Sequence, residues 1–202
     1  MTRRRKTPVS VGEGRMRQAG ASGIGQRINV VGTTGCGKTT FAAALAERLG
    51  IPHVEVDALF WRPAWEQTPD EEFFPIIDEA TRGDRWVLDG GYSRTRPITW
   101  PRAQTIVWLD YSLLRVFVRL LRRTIRRAFS REELWEGCRE SFRTSFLSRD
   151  SILLWCLKTY WRRRRNYPKL MTMTEHAHLQ FVRLRTPRRA ERWLEDVEAE
   201  GH

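Results

Sequence analysis

Residues 30–41 read Val-Val-Gly-Thr-Thr-Gly-Cys-Gly-Lys-Thr-Thr-Phe, and no other stretch constrains the fold as tightly. It fits G-x-x-x-x-G-K-[ST] over Gly32–Thr39, with the β-branched run Arg27–Val31 before it and the helix-forming run Thr39–Gly50 after it. A glycine-rich turn from strand to helix points backbone N–H groups and a helix N-terminus at one spot, which makes a phosphate cradle. Gly32, Thr33, Thr34, Gly35, Cys36, Gly37 and Thr40 would form its wall. Lys38 would neutralise β- and γ-phosphate oxygens, and Thr39 would ligate Mg2+. The expected ligand is ATP with Mg2+.

A strand–loop–helix of this kind belongs in a parallel sheet, and the rest of the chain supplies partners for it. Short apolar runs recur at Ile28–Val31, His53–Val56, Trp86–Leu88, Thr105–Leu109 and Leu179–Leu184, separated by helical composition. That alternation predicts an α/β fold with a five-stranded parallel sheet and helices on both faces. Helices are expected at Lys38–Leu49, at Asp70–Arg82 with Thr68 or Asp70 as cap, and at Pro187–Glu200. Residues 1–26 mix Arg, Gly, Ser and Gln without apolar periodicity and read as a disordered basic tail ahead of one domain, 27–202. Three cysteines without paired spacing indicate neither a disulfide framework nor a zinc site, so the expected compartment is the reducing cytoplasm. No apolar run is long enough to span a membrane.

Two aspartates follow apolar runs and compete for the metal, Asp89 in Arg85–Gly91 and Asp110 in Thr105–Ser112. Asp89 is favoured, because Gly90-Gly91 lets backbone approach a ligand closely whereas Asp110 runs into a helix it can cap. Asp57, at the end of the second strand, is read from its position as a cap for the next turn; it also resembles the acceptor-binding Asp of small-molecule kinases that phosphorylate hydroxyls, which implies that it orients or deprotonates an acceptor hydroxyl in a site walled by Trp61 and Trp65.

The string Val87–Arg96, VLDGGYSRTR, resembles the LDG-F-P-R-T segment of adenylate kinase-like nucleoside monophosphate kinases. The series GTTGCGKT, Asp57 with Trp61, DGGYS and WLDY is similar to that of bacterial adenylate kinase-related or "topology modulation" proteins. The resemblance covers roughly 27–190. It implies that Gly90 and Arg94 meet an acceptor, that Arg119 and Arg123 serve the ATP phosphates and the transition state, and that Arg185-Thr186-Pro187 forms the adenine-contacting turn. Thr34 stands where kinases acting on AMP usually carry Pro, and Gly91-Tyr92-Ser93 replaces Phe-Pro, so AMP is not the implied acceptor.

Residues 111–170 hold sixteen basic against five acidic residues, interleaved with Trp135, Phe142, Phe146, Trp155, Tyr160 and Trp161. Helices are expected after Asp110, over Arg131–Phe146, and over Asp150–Asn166 closed by Pro168. The segment reads as an arginine-rich helical lid, with Arg139, Arg143, Arg149 and Arg162–Arg165 as further lid candidates and most other arginines in solvent. The competing reading gives the basic stripe to nucleic-acid phosphates and the aromatics to bases. The favoured expectation is an ATP- and Mg2+-dependent phosphotransferase, monomeric or homodimeric, acting on a small molecule or nucleotide; the alternative is a nucleic-acid-binding or regulatory NTPase.

Overall fold

The computed structural model of the chain describes residues 23–63, 66–130, 133–135, 138–139 and 152–200, with 127–130, 133–135, 138–139 and 198–200 as backbone alone. Trp65, Arg143, Arg149 and most of the expected tail lie outside these residues, and Arg139 is placed by its backbone only. In chain order the elements begin β1 (Arg27–Gly32), α1 (Lys38–Leu49), β2 (His53–Glu55), α2 (Val56–Phe60), β3 (Trp61–Arg62), β4 (Glu66–Gln67) and α3 (Asp70–Ala80). They continue with β5 (Trp86–Asp89), α4 (Arg96–Thr99), β6 (Thr105–Leu109) and α5 (Leu113–Ser130). Last come β7 (Glu133–Trp135), β8 (Cys138–Arg139), α6 (Ile152–Met171), β9 (Gln180–Leu184) and α7 (Pro187–Glu200).

Five strands form one sheet in the order β2-β5-β1-β6-β9, every neighbouring pair parallel. Successive strand residues face opposite sides, so both faces must be covered. Ile28, Val30, Val107 and Leu109 pack under α1, α5 and α7 through Phe41, Leu45, Leu120 and Trp193. Val31, Leu88, Ile106 and Trp108 pack on the other side against Phe60, Phe73, Ile77, Trp100 and Tyr167. Because β1 is central, its C-terminal end opens the phosphate loop at the middle of the sheet, where α/β sheets bind ligands.

Several local expectations differ from what the structure contains. Ile24, assigned to the tail, is buried in the core, and its carbonyl accepts from the Thr105 hydroxyl. Thr68 does not cap α3; its hydroxyl donates to the Phe60 carbonyl at 2.9 Å, and Pro69 occupies the cap position. Residues 133–135 pair antiparallel with 138–139 where a helix is expected, since strand pairing has no 3.6-residue signature over so short a run. Pro168 lies inside α6, which continues to Met171.

Asn29 is a buried polar residue in the central strand, and its side chain is fully hydrogen-bonded. Its amide donates to the carbonyls of Leu88 and Gly90, each at 3.0 Å, and its oxygen accepts from the Trp100 indole at 3.1 Å. Asn29→Ala strands a buried indole N–H and a buried carbonyl. The expected cost is about 2–3 kcal/mol, read as a fall of roughly 5–10 °C in thermal denaturation.

Candidate active site

The loop after β1 curls because Gly35 and Gly37 adopt φ of 84° and 92°. At Gly35 a side chain is also excluded by space, since a Cβ would stand 2.8 Å from Leu120 Cβ on α5. The Cys36 N–H donates to the Thr33 carbonyl at 3.1 Å, closing the turn. No side chain caps the start of α1 at Gly37, so its first N–H groups face the loop. Cys36 itself is a packing residue. Burial pushes its thiol up, and it belongs to the core cluster beneath the loop.

Asp89 ends β5 beside this loop. Burial pushes its carboxyl above the usual range, opposed by the Lys38 ammonium and the Thr39 hydroxyl that face it, while Asp57 adds to the rise. One of its oxygens, Oδ1, is buried without a hydrogen-bond partner. A buried orphan carboxylate oxygen next to a hydroxyl and two further charges is a fit for Mg2+, which would be held by Thr39 and Asp89 and would restore the carboxylate charge.

Asp110 is used otherwise, and it caps no helix. Its carboxylate accepts from Arg183 Nη2 at 2.6 Å and is paired with Arg164 Nε at 2.9 Å, with the Arg183 guanidinium 4.5 Å over Trp108. It therefore ties β6 to β9 and α6. Of the four arginines 162–165, Arg164 faces inward to this pair and Arg163 to the phosphate loop, while Arg162 and Arg165 are exposed. Arg163 Nη1 donates to the Gly32 carbonyl at 2.5 Å. The sequence gives the four arginines as one run, and only the helical phase of α6 separates their directions.

Close to Asp89, the Tyr92 hydroxyl donates to Asp57 Oδ1 at 2.7 Å. Burial, then the Asp57 charge, drive the phenol well above its ordinary range, so Tyr92 is a fixed neutral donor. Trp61 reaches the same hydroxyl, and its ring lies edge-on to Phe60 at 4.8 Å. Gly90 is required here: a Cβ would meet Val56 Cβ at 2.7 Å, and its φ is 157°. Arg94 is engaged by Asp70 at 2.7 Å, with its guanidinium 4.6 Å over Phe60. An acceptor group reaching Arg94 would have to share it with that carboxylate.

Arg119 donates to the Cys36 carbonyl at 3.3 Å. Between α5 and the turn before α7 runs a groove of about 790 Å3 lined by Ser112, Arg115, Arg119, Thr186, Pro187 and neighbours. Arg123 lies one turn further along α5, in a smaller groove of about 290 Å3 with Arg119, Arg122 and Arg126. Thr186 and Pro187 thus line the same groove as Arg119, whereas Arg185 is exposed beside it. Asn29 and Tyr92, which hold the Gly90 carbonyl and Asp57, are residues the sequence reading missed. A polar residue in the middle of the β1 run was the available signal for Asn29.

The model of the ATPase family associated with various cellular activities (AAA) matches residues 28–86. A cytidylate kinase of Nitratidesulfovibrio vulgaris is 41% identical over 58 residues, 29% of this chain and 24% of that protein. A putative adenylate kinase of Thermococcus onnurineus is 33% identical over 118 residues, 54% of this chain and 60% of that protein. The chain therefore spans about a quarter of the first relative's length and 60% of the second's. In three dimensions the chain is similar to shikimate kinase from Acinetobacter baumannii in complex with shikimate, with TM-score 0.54 and 16% identity over 87% of this chain and 92% of that one. The loop, the parallel sheet and the structural likeness together give the chain the α/β fold of the P-loop NTPases, and over part of its length it is similar to the kinases named here.

Proposed function

We propose that the protein is a phosphotransferase that binds ATP with Mg2+ and moves the γ-phosphate to a small-molecule or nucleotide acceptor bound between Asp57 and the Gly90-Gly91 turn. The observation that carries this is the pairing of a metal-fitted carboxylate, Asp89, with a second, nearby carboxylate, Asp57, that a neighbouring phenol holds in place. A switch or motor needs only the first carboxylate; the second, beside Trp61, is placed to align an acceptor hydroxyl.

In this reading the base lies in the groove of Arg119, Thr186 and Pro187, and the phosphates lie on the N–H groups around Gly35–Thr39. Bound Mg2+ would neutralise charge developing on the β- and γ-oxygens. Lys38, Arg119 and Arg163 converge on the transferring group, where charge spreads over the equatorial oxygens. Arg123, further along α5, follows if the lid closes. Asp57, oriented by Tyr92, takes the proton of an acceptor hydroxyl. Arg94 leaves Asp70 for an anionic acceptor group.

Asp89→Asn keeps the shape and removes the charge. ATP titrations by calorimetry are expected to lose most of the Mg2+-dependent gain in affinity, about 10–100-fold, with Mg2+-free binding little changed. Equal Mg2+ dependence in wild type and variant would rule out the metal assignment. Acceptor use is tested by ADP release across panels of hydroxyl compounds and nucleotides, with stimulation over the acceptor-free rate as the expected result.

A second reading has one observation behind it. The outer face of α6 exposes Trp155 and Trp161, each just over half accessible, beside exposed Lys158, Arg162 and Arg165. Aromatics among cations suit stacked bases and phosphates. Salt-dependent DNA binding lost in a Trp155→Ala, Trp161→Ala double variant would support it.

A further inference from the structure

Tyr167, on α6 one turn after Arg163, is fully buried, yet its hydroxyl has no hydrogen-bond partner among the described residues. Its ring is fixed: it stacks on Trp108 at 5.1 Å and 21°, and the Arg96 guanidinium lies 5.4 Å from its centroid. A rigid phenol that strands its own donor in the interior costs stability. The hydroxyl lies beside Gly91, where a Cβ would stand 3.5 Å from the Tyr167 oxygen and 3.7 Å from Arg163 Nη2. Gly91 is partly exposed. A neutral donor and a guanidinium therefore converge on the space that Gly91 leaves by lacking a side chain, beside the Asp89 end of β5.

We infer that Tyr167 and Arg163 form the two arms of an oxyanion subsite against Gly91, in which the phenol donates to a phosphate or carboxylate oxygen during the transfer reaction. The inference rests on the phosphotransferase reading, but it concerns binding and is tested without turnover. Two sources supply such an oxyanion at this place, the transferring phosphate and an anionic group of the acceptor. The phenol adds direction to the guanidinium's charge, since an O–H donor on a locked ring fixes where the oxygen must sit.

The test uses the full chain loaded with ADP–Mg2+, titrated with inorganic phosphate by calorimetry. Wild type is expected to take up phosphate, and Tyr167→Phe to bind it roughly 10–100-fold more weakly. A merely structural role makes the opposite prediction for stability. Deleting an orphan hydroxyl leaves the ligand-free Tm of Tyr167→Phe equal to or above that of wild type. Gly91→Ala is the second variant, because a methyl at 3.5 Å is ordinary contact that the fold accepts while it fills the space; it too is expected to lose phosphate binding. Repeating the titration with the β,γ-imido analogue of ATP separates the sources: displaced phosphate marks the seat of the γ-phosphate, retained phosphate an acceptor group. Unchanged phosphate affinity in Tyr167→Phe overturns the inference, as does a wild type that binds ADP–Mg2+ but no phosphate. Failure to bind ADP–Mg2+ at all would instead strike the phosphotransferase reading.

Discussion

Lys38→Met is expected to lower the rate of γ-phosphate transfer by about 10^3-fold, the scale seen when one preorganised charge is removed from a closed site. The lysine follows a loop whose backbone is set by Gly35 and Gly37, and its charge faces Asp89 across the place where the phosphates would lie. Methionine keeps the stem and the helix propensity, so the fold should be intact. Lys38 is only partly buried, and thermal denaturation of the variant should overlay that of wild type. Transfer lost with an unchanged melting curve assigns the effect to chemistry. Single-turnover rates at saturating ATP separate it from weakened binding.

The second large effect is on stability. Asp110→Ala removes a carboxylate whose side chain is 2% exposed and leaves two guanidiniums facing each other, those of Arg164 and Arg183 at 36% and 21% exposure. Breaking a fully buried pair costs more than breaking one that water can reach. With both arginines partly solvated, the expected loss is about 3 kcal/mol, or roughly 6–12 °C in Tm for a chain of this size. Because the same carboxylate holds α6 to the sheet, Arg163 should drift from the Gly32 carbonyl, and transfer should fall as well. Asp89→Asn, by contrast, removes a charge that burial disfavours and should leave Tm unchanged or raise it. The two aspartates, which look alike in sequence, are thus separated by two opposite responses.

The five strands could be read because both sheet faces are buried, which leaves unbroken apolar runs whatever the neighbours are. Helix α1 was legible from Lys38 to Leu49 for a related reason: a glycine turn opens it and Gly50 closes it, with φ 60° at that position. The metal candidate could only be narrowed. Asp110 is claimed by Arg164 and Arg183, 54 and 73 residues away, and no local pattern announces a partner so distant. Asp57 gave the same difficulty, because its fixing by Tyr92 depends on a turn 35 residues on. In the insertion the arginines were visible as composition, yet their directions were not. Arg162 and Arg165 point to solvent while Arg163 and Arg164 point inward, a difference set by which stripe of α6 packs, Cys156, Tyr160 and Tyr167, rather than by the arginines themselves.

The central claim is that the γ-phosphate goes to an acceptor and not to water. It is tested most directly by following label from γ-32P ATP in the wild-type protein, with Mg2+, across hydroxyl compounds, nucleotides and DNA. The account predicts that one class of small molecule becomes labelled in a ratio close to one per ADP formed, and that Asp57→Asn loses this label while still binding ATP. Label that collects as inorganic phosphate at every acceptor tried, with ADP release quickened only by DNA, would contradict it.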